Sequence, residues 1–193
     1  MVERGGATED EVIHAFLLAE IGSNRCANPL KAVLAELGLD QSLIDRPILN
    51  EVEESRRRRH VLECFGRRHD RPVGVVCRKP PLRWRTVEFQ CSDFETIYYI
   101  DHPSWRELSG ISGLVSDGAR NYRRYSSDKR FKHVTDICNA IRDGERFPPL
   151  ILEDRGGLLT LTLVEGNSRA TAYAIESFSE PVRAYVGSLP GTS

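Results

Sequence analysis

Apolar and polar positions divide the chain into an early part with helical period and a later part where periods of two and of three to four alternate. Val12, Ile13, Phe16, Leu17 and Ile21 recur at helical spacing behind acidic Glu9 and Asp10, and Gly22 suits the end of that helix. Pro29 opens a second helical segment carrying Leu30, Val33, Leu34 and Leu37, which Gly38 closes. A third runs from Ser42 or Pro47 through Ile48 and Val52 to about Cys64, ending near Gly66. Arg71 to Cys77 reads as a short strand or a connection, and Arg78-Lys79-Pro80-Pro81 breaks any regular element. The boundary falls there, with 1–79 a helical region and 80–193 a second domain.

Beyond it, Leu82 to Phe89 alternates as a strand does, and Thr96 to Ile100 is rich in strand formers. His102-Pro103 begins a short helix through Leu108 that Gly110 stops. Gly113 to Gly118 reads as a strand and then a turn. From Phe131, a helix with Val134, Ile137, Cys138 and Ile141 on one face runs to Asp143-Gly144. Leu150-Ile151-Leu152 suits a buried strand, Asp154 to Gly157 a turn, and Leu158 to Val164 the returning strand. After Glu165-Gly166 the period changes: Asn167 or Ser168 caps a helix on which Ala170, Tyr173 and Ala174 share a face. The predicted fold class is α+β, a small mixed β-sheet with packed helices, preceded by an N-terminal helical region.

A strand that passes through a glycine into a helix N-terminus aims several unpaired N–H groups at one spot, at the positive end of the helix dipole. With Arg169 in the first turn, that spot suits a phosphate. Gly166-Asn167-Ser168-Arg169, between a hydrophobic hairpin and an Ala-rich helix, resembles the G-x-x-R signature of the ParB/sulfiredoxin-like superfamily. Its members include CTP-binding partition proteins, sulfiredoxins, free-serine kinases and ParB-like nucleases. The resemblance covers the last third of the chain, and more weakly everything from Trp84 onward. It implies a ParB/sulfiredoxin-like sheet and nucleotide-phosphate contacts from Gly166, Asn167, Ser168 and Arg169. It also implies Mg²⁺ bridging the phosphates, and phosphotransfer or nucleotide hydrolysis. Glu165, adjoining the turn, is the expected metal ligand or base, with Asp117 as the second carboxylate. Asn167 stands where sulfiredoxins carry their reactive cysteine, which argues against sulfiredoxin chemistry. Asn167 and Ser168 are neutral where ParB proteins have a Glu and a basic residue, which argues against CTP switching.

Two further stretches carry candidate chemistry. Asp117-Gly118-Ala119-Arg120-Asn121 suits either a metal-bound phosphate, with Arg120 on the anion, or a plain Asx turn. Arg123, Arg124, Lys129, Arg130 and Lys132 follow, interleaved with Tyr122 and Tyr125, a pattern that can stack bases and neutralise phosphates. The densest positive run is Arg56, Arg57, Arg58 and Arg59, next to His60 and extended by Arg67, Arg68 and His69. It reads as a solvated helix face paired with Glu51, Glu53 and Glu54, or as a nucleic-acid contact. The alternative functions are therefore a nucleic-acid-binding protein or metal-dependent nuclease, and a non-catalytic protein partner.

Composition narrows these readings. The hydrophobic fraction of 40% is that of a globular chain, and a net charge of −1 confines any nucleic-acid contact to local clusters. No apolar run approaches a membrane span, and the acidic N-terminus lacks a signal-peptide layout, so no membrane partner and a cytoplasmic location are expected. The five cysteines form no CxxC pair and are expected to be reduced thiols. His14, His60, His69, His102 and His133 are dispersed, and no His-centred catalytic group is expected.

Overall fold

The computed structural model describes residues 1–69, 73–156, 161–178 and 180–191. The chain forms two compact units, Gly6–Trp84 and Met1–Gly5 with Arg85–Ser193. The first five residues thus belong with the later unit.

The helical unit contains α1 (Glu9–Ile21), α2 (Ala27–Glu36), α3 (Ser42–Asp45) and α4 (Val52–His69). A capping box starts α1: the Glu11 amide donates to Thr8 Oγ1 at 3.2 Å, and the Thr8 amide donates to the Glu11 carboxylate at 2.7 Å. The helical spacing predicted for α1 and α2 is observed, and Val12, Ile13, Phe16, Leu17, Leu30 and Val33 are all buried. The single third helix of the sequence reading is two, because the chain breaks around Pro47 and leaves Ile48 exposed.

The structure corrects the reading of the arginine run. Arg58 shares the inward face of α4 with Val61, Leu62 and Phe65, and its side chain is 0% exposed. It donates from Nε and Nη2 to Asp10 at 2.8 and 2.6 Å, and from Nη1 to Glu54 at 2.9 Å. Arg58 is therefore a core ion-pair residue and not part of a nucleic-acid surface. Burial alone would raise the Asp10 pKa, but the Arg58 bonds and the Asn50 amide outweigh it and hold the carboxyl below its ordinary value. Arg59 is tied to Glu9, Glu63 and the Cys77 carbonyl, and Arg56 and Arg57 both bond Glu53. The cluster is largely neutralised within its own unit.

The sheet is built from β1 (Val2–Ala7), β2 (Arg83–Phe89), β3 (Ile97–Tyr98), β4 (Leu150–Asp154), β5 (Leu161–Glu165) and β6 (Val182–Ser188), in the order β1-β2-β6-β4-β5-β3. It is mixed: β4 runs antiparallel to β5, with Leu152 opposite Leu163, and parallel to β6, with Leu152 opposite Val186. β3 runs parallel to β5, with Ile97 opposite Leu161. The expected hairpin is present, and its Gly157 to Thr160 portion lies outside the described residues, as do Arg71 and Pro72 of the expected connection. β1 escaped the sequence reading because Val2–Ala7 is a largely exposed edge strand without apolar alternation. Buried Val87, Phe89, Phe94, Leu150, Leu163 and Val186 are part of the core of this unit.

Among the described residues, the α-helices that accompany the sheet are α5 (Pro103–Ser109), α6 (Val115–Asn121), α7 (Lys132–Arg142) and α8 (Asn167–Glu176). α6 replaces the strand and turn expected over Gly113 to Gly118. Val115, Gly118 and Tyr122 fall at helical spacing and face inward. Gly118 sits in mid-helix because a Cβ there would lie 2.4 Å from the Tyr99 hydroxyl. The α+β class is as expected. Among the described residues no helix is long and apolar enough to cross a membrane.

Candidate functional site at the turn from β5 to α8

β5 ends at Glu165, and Gly166 then takes the left-handed conformation, φ 99° and ψ 20°, before α8 begins. A side chain there would be strained, and its Cβ would lie 2.5 Å from Leu150 Cδ2, so the turn needs glycine twice over. The Gly166 carbonyl accepts the first helical bond, from the Ala170 amide at 2.8 Å.

Each side chain of the turn reaches a different element. Asn167 Oδ1 accepts from the Ile100 amide, just past β3, at 3.1 Å. Ser168 Oγ lies 2.6 Å from His133 Nε2 on the first turn of α7. Thr171, one turn along, donates to the Asn167 carbonyl at 2.8 Å and therefore accepts from the Tyr99 hydroxyl at 2.7 Å. Burial pushes the Tyr99 phenol well above the usual tyrosine range, so it stays neutral and keeps its proton to donate.

Arg169 points inward. Its side chain is 8% exposed, its Nη1 bonds the Pro148 carbonyl and its Nη2 donates to Glu165 Oε1 at 3.0 Å. The guanidinium thus ties the start of β4 to the end of β5, and this differs from the phosphate contact implied by the resemblance. The expected metal ligand Glu165 is held by that same arginine. Asp117 pairs with Arg120 at 2.6 Å along α6, an exposed i,i+3 pair rather than a loop. Among the described residues no three His, Cys, Asp or Glu side chains are grouped as a metal site.

Because β3 and β5 are parallel, their C-terminal ends emerge on the same side of the sheet, where open sheets gather ligands. Beside the end of β3 lies a pocket of about 320 Å³, lined in part by Tyr99, Ile100, Asp101, Arg106, Ser109 and Ile111. Arg106 donates to Asp101 at its rim, and Ile111 stands fully exposed there. Trp105 stacks on Tyr99, with centroids 4.9 Å apart and planes at 13°. The Ile100–Asn167 bond joins the wall of this pocket to the glycine turn.

The second basic stretch is reordered too. Tyr122 is buried and bonds Thr135 Oγ1 at 2.6 Å, and Tyr125 packs edge-on against Phe131. The buried Tyr122 is not a surface for stacking bases, whereas Tyr125 is half-buried. Arg130 is bound by Glu107 and Asp128, while Arg123 and Arg124 are exposed on a 3₁₀ turn and Lys129 and Lys132 are exposed after it. Cys26, Cys64 and Cys138 are buried, and burial with Glu176 nearby pushes the Cys138 thiol up to about 12. The sequence reading missed His133, Tyr99 and the end of β3. His133 and Ser168 are 35 residues apart, and no local spacing pairs them. No family model, curated protein or solved structure matches the chain.

Proposed function

We propose that the sheet unit is a nucleotide-binding domain of ParB/sulfiredoxin type, with the base and sugar in the pocket past β3 and the phosphates on the β5–α8 turn. The observation that carries this reading is the direct bond from the pocket wall at Ile100 to Asn167 of the turn. It links a half-open pocket to an anion-favouring helix N-terminus. A pocket of about 320 Å³ lies at the small end of the range for ligand sites. Phosphates would meet the first-turn amides and Ser168, while Arg169 braces the turn from behind. Arg106 on the rim, in an exposed pair with Asp101, would be the cation that turns to the ligand in place of the inward Arg169. Mg²⁺ would enter on the phosphates rather than on a protein-built site.

The test is a thermal-shift panel of ATP, ADP, CTP and GTP with and without Mg²⁺. A ligand at a hundred times its dissociation constant stabilises the folded protein by about 2.7 kcal/mol, a visible shift. Arg106→Glu, exposed and outside the core, should diminish that shift without lowering the melting temperature of the free protein. A flat panel across all four nucleotides refutes the reading.

A further inference from the structure

Ser168 of the turn is paired with the His133 ring of α7, and phosphate contact by itself gives that pairing no chemical role. Asn167 ties the turn to β3, Arg169 ties it to β4, and Thr171 anchors α8 on Tyr99. Ser168 is half-buried and His133 is exposed, so solvent reaches the pair. Their 2.6 Å separation is within the hydrogen-bond reach that defines a nucleophile and its base. Two elements are needed to make the pair. α8 presents Ser168 in the turn that Gly166 starts, and α7 presents His133 beside it.

We infer that Ser168 is a nucleophile toward the terminal phosphoryl group of the bound nucleotide, with His133 as its general base; this rests on the nucleotide reading of the same turn. In the step, the bond from Ser168 Oγ to the terminal phosphorus forms as the bond from that phosphorus to the bridging oxygen breaks. The bridging oxygen leaves with the electron pair as part of the nucleoside diphosphate. The serine proton passes to His133 Nε2. The phosphoserine is then relieved by an acceptor hydroxyl or by water, whose proton leaves in turn. No oxidant or reductant enters. The first-turn position sets the reacting oxygen at a helix N-terminus, whose unpaired N–H groups favour the negative charge on the transferring phosphoryl oxygens.

An organophosphorus probe tests the nucleophile without requiring turnover. With a fluorophosphonate, the Ser168 Oγ–P bond forms, the P–F bond breaks, fluoride leaves with the electron pair, and the proton goes to His133. Peptide mapping should place the adduct on Ser168 in the full chain and find none in Ser168→Ala. His133→Ala should label at least about tenfold more slowly, since a positioned base contributes roughly 10²–10⁴. Both variants alter surface side chains, and circular dichroism melts check that they fold. The nucleotide that shifts the melting temperature should protect Ser168 from the probe. No adduct on Ser168, or equal rates in wild type and His133→Ala, overturns the dyad; a thermal shift persisting in that case leaves the nucleotide reading standing. Labelling with neither protection nor a thermal shift refutes the nucleotide reading, and the assigned substrate with it.

Discussion

Replacing Arg58 by methionine keeps the apolar stem and removes the guanidinium from the middle of the helical unit. The charge it leaves behind is the decisive quantity. Asp10 is 8% exposed and holds two of the arginine's bonds, at 2.8 and 2.6 Å, while Glu54 and the carbonyls of Leu43 and Ile48 hold the rest. Removing one partner of a buried pair strands the other, and costs about 3–5 kcal/mol. Urea unfolding followed by far-UV circular dichroism reads this directly. With an m-value of about 1–3 kcal/mol per molar, the midpoint should fall by at least about 1 M. Arg57→Ala removes only an exposed i,i+4 pair to Glu53 and should stay within about 0.5 kcal/mol of wild type. The double variant Asp10→Leu with Arg58→Met should recover much of the loss, because the most deeply buried charge leaves with its partner and the more exposed Glu54 keeps the Ile48 amide. A loss below about 1 kcal/mol in Arg58→Met, or an equal loss in Arg57→Ala, refutes the burial reasoning. The outcome bears on function as well. Neutralising Arg56 to Arg59 together would damage the fold, and a loss of nucleic-acid binding in that variant would say nothing about contact.

Three other outcomes are expected. Gly166→Ala combines a left-handed φ of 99°, costing about 1–2 kcal/mol, with a Cβ 2.5 Å from Leu150, costing about 1–3 kcal/mol. A melt within half a kcal/mol of wild type would contradict it, and any nucleotide shift should weaken in parallel. Tyr99→Phe should cost about 1–2 kcal/mol through the lost bond to Thr171. The Tyr99 pKa is raised in the folded state, so its contribution is full below the ordinary tyrosine value near 10 and is lost as pH rises beyond it. A spectrophotometric titration should show a late tyrosine that disappears in Tyr99→Phe, and an unchanged curve would refute the assignment. Asp10 has the opposite sign: its folded pKa is lowered, so its stability is present above about 3.9 and is lost as pH falls through the folded value. The stability of Asp10→Asn should accordingly vary less with pH below that point than wild type does, as urea midpoints across an acid series would show.

How much of this protein can be read along the chain depends on the range of the interaction. Helical spacing in α1, α2 and α7, the breaker at Pro80-Pro81, the β4–β5 hairpin and the glycine-to-helix turn are local patterns, and each was legible. α6 was not, because a mid-helix glycine resembles a turn until the Tyr99 hydroxyl is seen above it. β1 was not, since an exposed edge strand draws its order from backbone pairing rather than from its side chains. Arg58 stands at the inward spacing of Val61, Leu62 and Phe65, yet only the approach of Asp10, 48 residues away, makes burying it tolerable. The candidate site divides in the same way. Residues adjacent in sequence announced the Gly166 turn and the helix that follows it. Tertiary packing turned Arg169 inward onto Pro148 and Glu165, opened the pocket past β3 and brought His133 to Ser168. Contacts across that many residues depend on strand order and helix placement, and no local periodicity encodes either.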